Sequence, residues 1–93
     1  MYLHFEQVAT TAVVKGPEDL TIPSSATHVE LQADTQPCRY TMDGLTPPAQ
    51  TSGMILSTSS DPKTFLVTDL RRIKFTRGAG SDGKLNIHYF NGR

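Results

Sequence analysis

Apolar and polar residues alternate with a period of two along most of the chain. Gly, Pro, Asp and Ser interrupt the alternation at intervals of roughly eight to twelve residues, which is typical of an all-β sandwich or barrel. The clearest alternation covers residues 27–33, where Val29, Leu31 and Ala33 are predicted to face the core. The residues between them then face the other side of the strand.

The same pattern predicts seven or eight short antiparallel strands in one domain that spans residues 1–93. They suit an all-β fold, a small two-sheet sandwich of the immunoglobulin-like or jelly-roll-like kind with hairpin and Greek-key connections. No segment has convincing helical spacing, and the glycines of residues 78–83 predict a hairpin loop. The predicted extended segments are residues 7–14, 20–22, 27–33, 38–42, 53–56, 65–67, 70–77 and 85–90.

The first six residues precede the first regular strand and contain Tyr2, Leu3 and Phe5. They are predicted to form either a further edge strand or an N-terminal arm. An arm with these side chains would leave an apolar patch in water, and such patches generally mark a contact with a partner.

The size and the cysteine content of the chain both favour assembly with other subunits. A domain of 93 residues and 10.2 kDa buries only about 60–65% of its surface on folding, which leaves it marginally stable. Cys38 is the single cysteine, so neither an internal disulfide framework nor a cysteine-rich zinc site can stabilise the domain. Contacts between subunits can supply the missing stability, and one thiol suits synthesis in a reducing cytoplasm.

Charge gives no reason to expect a nucleic-acid or membrane partner. Nine basic and nine acidic side chains balance, so the whole molecule is not attracted to a polyanion or to an acidic bilayer. Residues 1–46 contain six acidic and two basic groups, and residues 47–93 contain three acidic and seven basic ones. This asymmetry either cancels between neighbouring strands or serves a subunit contact. No apolar stretch approaches the roughly 20 residues of a transmembrane helix, and the N-terminus does not resemble a signal peptide.

No arrangement of residues predicts catalysis, a metal or a cofactor. His4, His28 and His88 are far apart in the sequence and are interpreted as surface side chains. Cys38 lies at an inward strand position without features that would activate a thiol. The glycines of residues 78–83 precede a strand, whereas a phosphate-binding loop precedes a helix. We therefore expect a protein that is not an enzyme.

The basic segment 71–77 could suggest nucleic-acid binding, because an aromatic residue lies among the charges. On a strand, however, Phe75 faces inward while Arg72 and Lys74 face outward. Two outward charges without a stacking ring do not make a nucleic-acid platform.

Residues 39–47 have the form R-Y-T-x-D-G-x-x-P, which resembles the strand and turn of small immunoglobulin-like sandwiches, including accessory domains of carbohydrate-active enzymes. In order, this motif and the segments 29–33, 53–56, 72–75 and 85–89 resemble small virion proteins of tailed bacteriophages. The resemblance implies a structural β-sandwich of the capsid decoration or cement type on the virion surface, made in the host cytoplasm. The resemblance does not assign a function to any individual residue of this chain.

This resemblance implies that the chain clamps neighbouring major capsid subunits. Its implied partners are the major capsid protein and other copies of the chain, which would form a homotrimer. A tail or head-to-tail connector subunit is an alternative. A carbohydrate or host-surface binding module is a second one, disfavoured because the chain has no Trp and most of its aromatic residues are assigned to the core. The predicted subunit contacts are Tyr2, Leu3, His4, Phe5, Arg72 and Lys74.

Overall fold

Seven antiparallel strands form two packed sheets, as seen in a computed structural model that describes residues 1–59 and 61–91. The prediction of a small two-sheet β-sandwich is therefore confirmed. Two short helical segments interrupt the strands, a 3-10 turn at Pro17–Asp19 and a one-turn helix α1 at Val67–Leu70. The strands are β1 (Tyr2–Thr10), β2 (His28–Asp34), β3 (Cys38–Thr41), β4 (Met54–Leu56), β5 (Lys63–Leu66), β6 (Lys74–Arg77) and β7 (Gly83–Phe90).

The larger sheet has the strand order β1-β7-β2-β5, and the smaller one has the order β4-β3-β6. Lys15 adds an isolated antiparallel bridge to Phe75, at the outer edge of β6. Lys15 is the remnant of an eighth strand, which lies between β1 and β2 in the chain. When all eight strands are numbered in chain order, β1, β7, β2 and β5 of the larger sheet are the first, eighth, third and sixth strands. The smaller one contains the second, seventh, fourth and fifth. This is the strand order of a jelly roll, one of the two predicted sandwich types.

Alternation places the core where the sequence predicts it. In β2 the side chains of Val29, Leu31 and Ala33 are buried, and the intervening ones are partly exposed. β7 and β3 follow the same rule, because every second side chain of a strand points to the same face. The inward residues of these two strands are Leu85, Ile87 and Tyr89 in β7 and Cys38 and Tyr40 in β3.

The helix α1 was not predicted, and it shortens the strand that was expected over residues 70–77. Its Val67 and Leu70 are buried, and the Val67 amide donates to the Thr27 carbonyl at 2.9 Å. The two apolar residues are three positions apart, which places them on one side of a helical turn. β6 therefore begins only at Lys74.

Three further expectations are wrong. The predicted strand 7–14 ends at Thr10, and residues 20–22 are not part of a strand. The loop after β6 is not a hairpin, since β6 and β7 belong to different sheets. Gly78 allows the chain to cross there, because a Cβ atom at this position would lie 2.9 Å from the Pro37 carbonyl oxygen.

Alternation along the predicted strand 70–77 places Thr76 on the outward side with Arg72 and Lys74, but its side chain is buried. Its hydroxyl donates to the Thr11 carbonyl at 2.7 Å, and the Arg77 amide donates to the same oxygen at 3.0 Å. The segment after β1 thus covers the edge of β6 and buries a side chain that the alternation assigns to solvent.

Residues 2–6 belong to β1, so the structure has the edge strand of the two alternatives for the N-terminus. The register between β1 and β7 shifts between Tyr2 and His4, as in a β-bulge. Beyond the bulge, the Asn91 amide donates to the Met1 carbonyl at 2.7 Å. The first residues are therefore fastened along β7 rather than free.

Candidate functional site

A row of aromatic rings crosses the outer face of the larger sheet. The rings belong to three neighbouring strands, β1, β7 and β2, and the strand registers place them side by side. An antiparallel sheet with one face in water normally has polar side chains on that face. We call this set the outer aromatic face, and it consists of Tyr2, Phe5, His28, His88 and Phe90.

The rings contact one another in sequence across the sheet. The centroids of the Tyr2 and His88 rings lie 4.0 Å apart with their planes 22° from parallel, and Phe5 meets His88 edge to face at 5.9 Å. Tyr2 also lies 5.3 Å from Phe90, and Phe90 stacks on His28 at 5.4 Å. Such pairs add about 0.5–1.5 kcal/mol beyond the area that they bury. They hold the rings in one arrangement although Tyr2 remains 57% exposed and Phe5 54% exposed.

Polar groups border the outer aromatic face on one side. The Tyr2 hydroxyl donates to a Glu30 carboxylate oxygen at 3.1 Å. The Gln7 amide donates to Asn86 Oδ1 at 2.8 Å. Between the rings and these groups lies a shallow depression of about 130 Å³. Its lining is mixed, with one phenyl ring, one imidazole, a carboxylate and two amides: Phe5, Glu30, Gln32, Pro62, Asn86 and His88.

The structure brings only some of the predicted contact residues together. Tyr2 and Phe5 lie on the outer aromatic face, but Leu3 packs against the core. The His4 ring is 6.0 Å from that of Tyr89, beside the bulge. Arg72 and Lys74 lie elsewhere, next to β6 of the smaller sheet. Whether any of the six residues contacts another subunit stays a prediction.

The assignment of most aromatic residues to the core is confirmed, for four of the seven Tyr and Phe residues. Tyr40, Phe75 and Tyr89 are buried, and Phe65 packs partly buried against the core. Tyr2, Phe5 and Phe90 lie on the outer aromatic face. The sequence indicates part of this face, because alternation along β2 and β7 places His28, His88 and Phe90 on the outward side of their strands. Sequence reasoning treated the histidines separately because the pairing of β7 with both β1 and β2 is not visible in a linear pattern.

Two side chains of the core, Cys38 and Tyr89, have raised pKa values. Burial raises the pKa of the Cys38 thiol to about 12, so this side chain is a thiol and not a thiolate near neutral pH. Burial also raises the pKa of Tyr89, and its hydroxyl donates to Glu6 Oε2 at 2.6 Å. The same Glu6 oxygen accepts from the Thr21 amide at 2.8 Å. This carboxylate thus ties the edge strand to β7 and to the segment after the 3-10 turn.

The turn after β3 is organised by Asp43. Its carboxylate accepts hydrogen bonds from the Thr46 hydroxyl at 2.7 Å and from the Leu45 and Thr46 amides, each at 2.9 Å. These bonds, that of the Thr46 hydroxyl foremost, lower the pKa of Asp43 from 3.8 to about 2. Gly44 adopts a φ of 75° in this turn, a conformation that glycine tolerates best.

We expect the Asp43 turn to weaken in acid. The folded pKa lies below the unfolded value, so its stabilisation is complete above about pH 4 and is lost as the pH falls toward 2. Urea unfolding at stepped pH should show this decline, and Asp43→Asn should reduce it. The exposed Asp69 offers a matched control, because Asp69→Asn should keep the wild-type slope. An unchanged acid profile in Asp43→Asn would contradict the assignment.

Within the described residues, no group of three or more His, Cys, Asp or Glu side chains is placed to hold a metal ion. None of the helices in that part of the chain is long and apolar enough to cross a membrane. No protein-family model matches the sequence, and neither a curated protein nor a solved structure is significantly similar to it.

Proposed function

We propose that the chain is a structural subunit of a bacteriophage virion, of the capsid decoration type, which docks on neighbouring subunits through its outer aromatic face. In this role it clamps major capsid subunits together and needs no chemistry of its own. A ligand that binds only the assembled shell shifts the assembly equilibrium toward that state, so many weak copies stabilise one particle.

The observation that supports docking is the ordered and exposed row of rings. Leu66 of β5, 50% exposed, pairs with His28 and extends the apolar surface toward the opposite edge of the sheet. Large contiguous apolar patches on small proteins generally mark interaction sites. Tyr is also among the residues most often found at energetic hot spots of interfaces. A rigid face of this kind loses little side-chain entropy when a partner covers it.

The fold and the surface relief agree with a structural role. Eight-stranded jelly rolls recur in viral capsid domains and in lectins, an analogy that narrows the classes without choosing between them. Three surface depressions among the described residues measure about 120, 130 and 190 Å³, whereas small-molecule sites commonly measure about 300–1,000 Å³. A flat face with shallow relief suits contact with another macromolecule.

The test is an image reconstruction of virions purified from a phage that encodes the chain, combined with the mass of the isolated chain in solution. We expect density for the sandwich on the outer shell, with the larger sheet turned toward its neighbours, and a trimer in solution. Density in a ring at the head-to-tail junction would support the connector alternative instead. Absence of the chain from virions would overturn the proposal.

A second candidate function, carbohydrate binding, is favoured by one observation. Exposed aromatic residues on one sheet face are what such a module needs, and the depression beside Phe5 adds Glu30, Gln32 and Asn86 as hydrogen-bonding groups. Rings can cover the apolar side of a sugar while carboxylate and amide groups bind its hydroxyls.

A glycan array followed by calorimetry separates the two candidates. Carbohydrate binding predicts a saturable millimolar or tighter Kd that Phe5→Ala weakens about tenfold or more. Val13→Ala, which changes an exposed side chain outside the face, should leave the Kd unchanged. Absence of any saturable glycan would reject this candidate and leave the docking proposal as it stands.

A further inference from the structure

A second surface feature lies away from the outer aromatic face, at the end of the smaller sheet. It is a depression of about 120 Å³, and two separate segments of the chain supply its basic side chains. Lys15 comes from the bridge at the edge of β6, Arg71 and Arg72 follow α1, and Lys74 begins β6. We call these four residues and the space between them the basic depression.

Backbone hydrogen bonds fix the frame of the basic depression. The Lys15 amide donates to the Phe75 carbonyl at 2.8 Å, and the Phe75 amide donates to the Lys15 carbonyl at 2.9 Å. The Gly44 amide donates to the Arg72 carbonyl at 3.0 Å. Gly16 and Gly44 line the space without side chains of their own. The positions from which the charges extend are therefore held before any ligand arrives.

The charges themselves are largely uncompensated. Among the described residues, no hydrogen bond or ion pair engages the side chains of Arg71, Arg72 or Lys74. Lys15 Nζ donates to the Ala9 carbonyl at 2.8 Å, which satisfies one donor and leaves the positive charge. Glu18 is the carboxylate in the lining, and it forms no ion pair with these residues. Like charges that line one depression repel one another, so an anion between them is favoured.

We propose that the basic depression binds a single oxyanion group, a carboxylate or a phosphate, held by Arg72 and Lys74 with Arg71 and Lys15 at its rim. A guanidinium binds such a group through two parallel hydrogen bonds, and an ammonium adds a point charge. The partial burial of Lys15 and Lys74 limits screening by water. This inference stands on its own observations and does not depend on the docking proposal.

The surroundings favour one anionic group rather than a polyanion. Arg77 pairs with Asp82 at 2.8 Å, and Arg39 donates to the Gly53 carbonyl at 2.9 Å. Lys63 and Lys84 lie on the larger sheet. In the described part of the chain, no basic track leads away from the depression, as binding to a phosphate backbone would need.

An NMR titration of the ¹⁵N-labelled chain tests the inference, with inorganic phosphate in one arm and acetate in the other, at constant ionic strength set with NaCl. We expect saturable shifts of the Gly16 and Gly44 amides. Arg72→Gln and Lys74→Gln should each weaken the apparent Kd about tenfold, the loss of one charge-assisted contact. Lys84→Gln, which removes an exposed charge from β7, should leave the Kd unchanged. The variant spectra also verify that each chain is folded.

The phosphate and acetate titrations distinguish the two kinds of anion. Saturation by phosphate alone supports a phosphate ligand, and similar saturation by acetate supports a carboxylate from a protein neighbour. Shifts that stay linear with concentration, or that Lys84→Gln reduces as much as Arg72→Gln, would overturn the proposal. A third arm with oligothymidylates of increasing length would also overturn it if affinity grew with length, because that growth marks a polyanion track.

Discussion

Replacing Tyr2 and Phe5 together by Ser should, under the docking proposal, detach the chain from the virion. Each truncated aromatic anchor of a protein interface commonly costs about 2 kcal/mol or more, so the pair should weaken attachment about a thousandfold. Both side chains are more than half exposed, and the loss of fold stability should be far smaller than the loss of binding. The measurement is co-sedimentation of purified variants with virions grown without the chain, followed over a range of concentrations.

The smaller sheet provides the matched control. Met54 and Ile55 of β4 are also exposed, at 63% and 46%, and their joint replacement by Ser removes apolar surface that lies outside the outer aromatic face. We expect this control to sediment like the wild type. The reverse result, with attachment lost only in the Met54 and Ile55 variant, would place the docking surface on the smaller sheet.

Phe75→Ala should bring the isolated chain close to unfolding. Phe75 is fully buried, pairs with Tyr40 of β3 and with Lys15, and thus joins the middle of the smaller sheet to its remnant strand. Truncation of a buried Phe costs about 3–5 kcal/mol. A domain of this size has a total free energy of unfolding of about 5–14 kcal/mol. Urea unfolding followed by circular dichroism measures the difference.

The control for the core is Leu45→Ala, at a position that is 81% exposed in the loop between β3 and β4. Its free energy of unfolding should stay within about 0.5 kcal/mol of the wild type. A loss below about 1 kcal/mol in Phe75→Ala would show that the core can relax around the missing ring. Such a result would contradict the expectation that the buried Phe75 ring is essential to the core.

The parts of the fold that the sequence predicted are those where one strand face meets the core. Val29, Leu31 and Ala33 alternate with polar residues, so burial imposes a period that can be read directly. For residues 1–6 the sequence left an edge strand and an arm open, because the bulge between Tyr2 and His4 interrupts the alternation there. The helix α1 was missed because one turn is too short to show a helical period. Its burial comes from tertiary contacts, as the bond between Val67 and Thr27 shows.

The candidate sites were predicted only in part, for a related reason. Tyr2 and Phe5 were named as contact residues, but the histidines beside them were interpreted singly. Residues 2, 28 and 88 become neighbours through the pairing of three strands that are far apart in the sequence. Arg72 and Lys74 were likewise named, whereas Lys15 joins them only through its bridge to Phe75. Long-range pairing, and not local pattern, creates both surfaces.

The position of β7 between β1 and β2 has a consequence for synthesis on the ribosome. The smaller sheet can pair as soon as β6 has emerged, but the larger one lacks β7, an interior strand, until residues 83–90 have been translated. Long-range pairing of this kind is slow, and a prematurely terminated product cannot display the row of rings. Only copies that extend through β7 can therefore present the outer aromatic face.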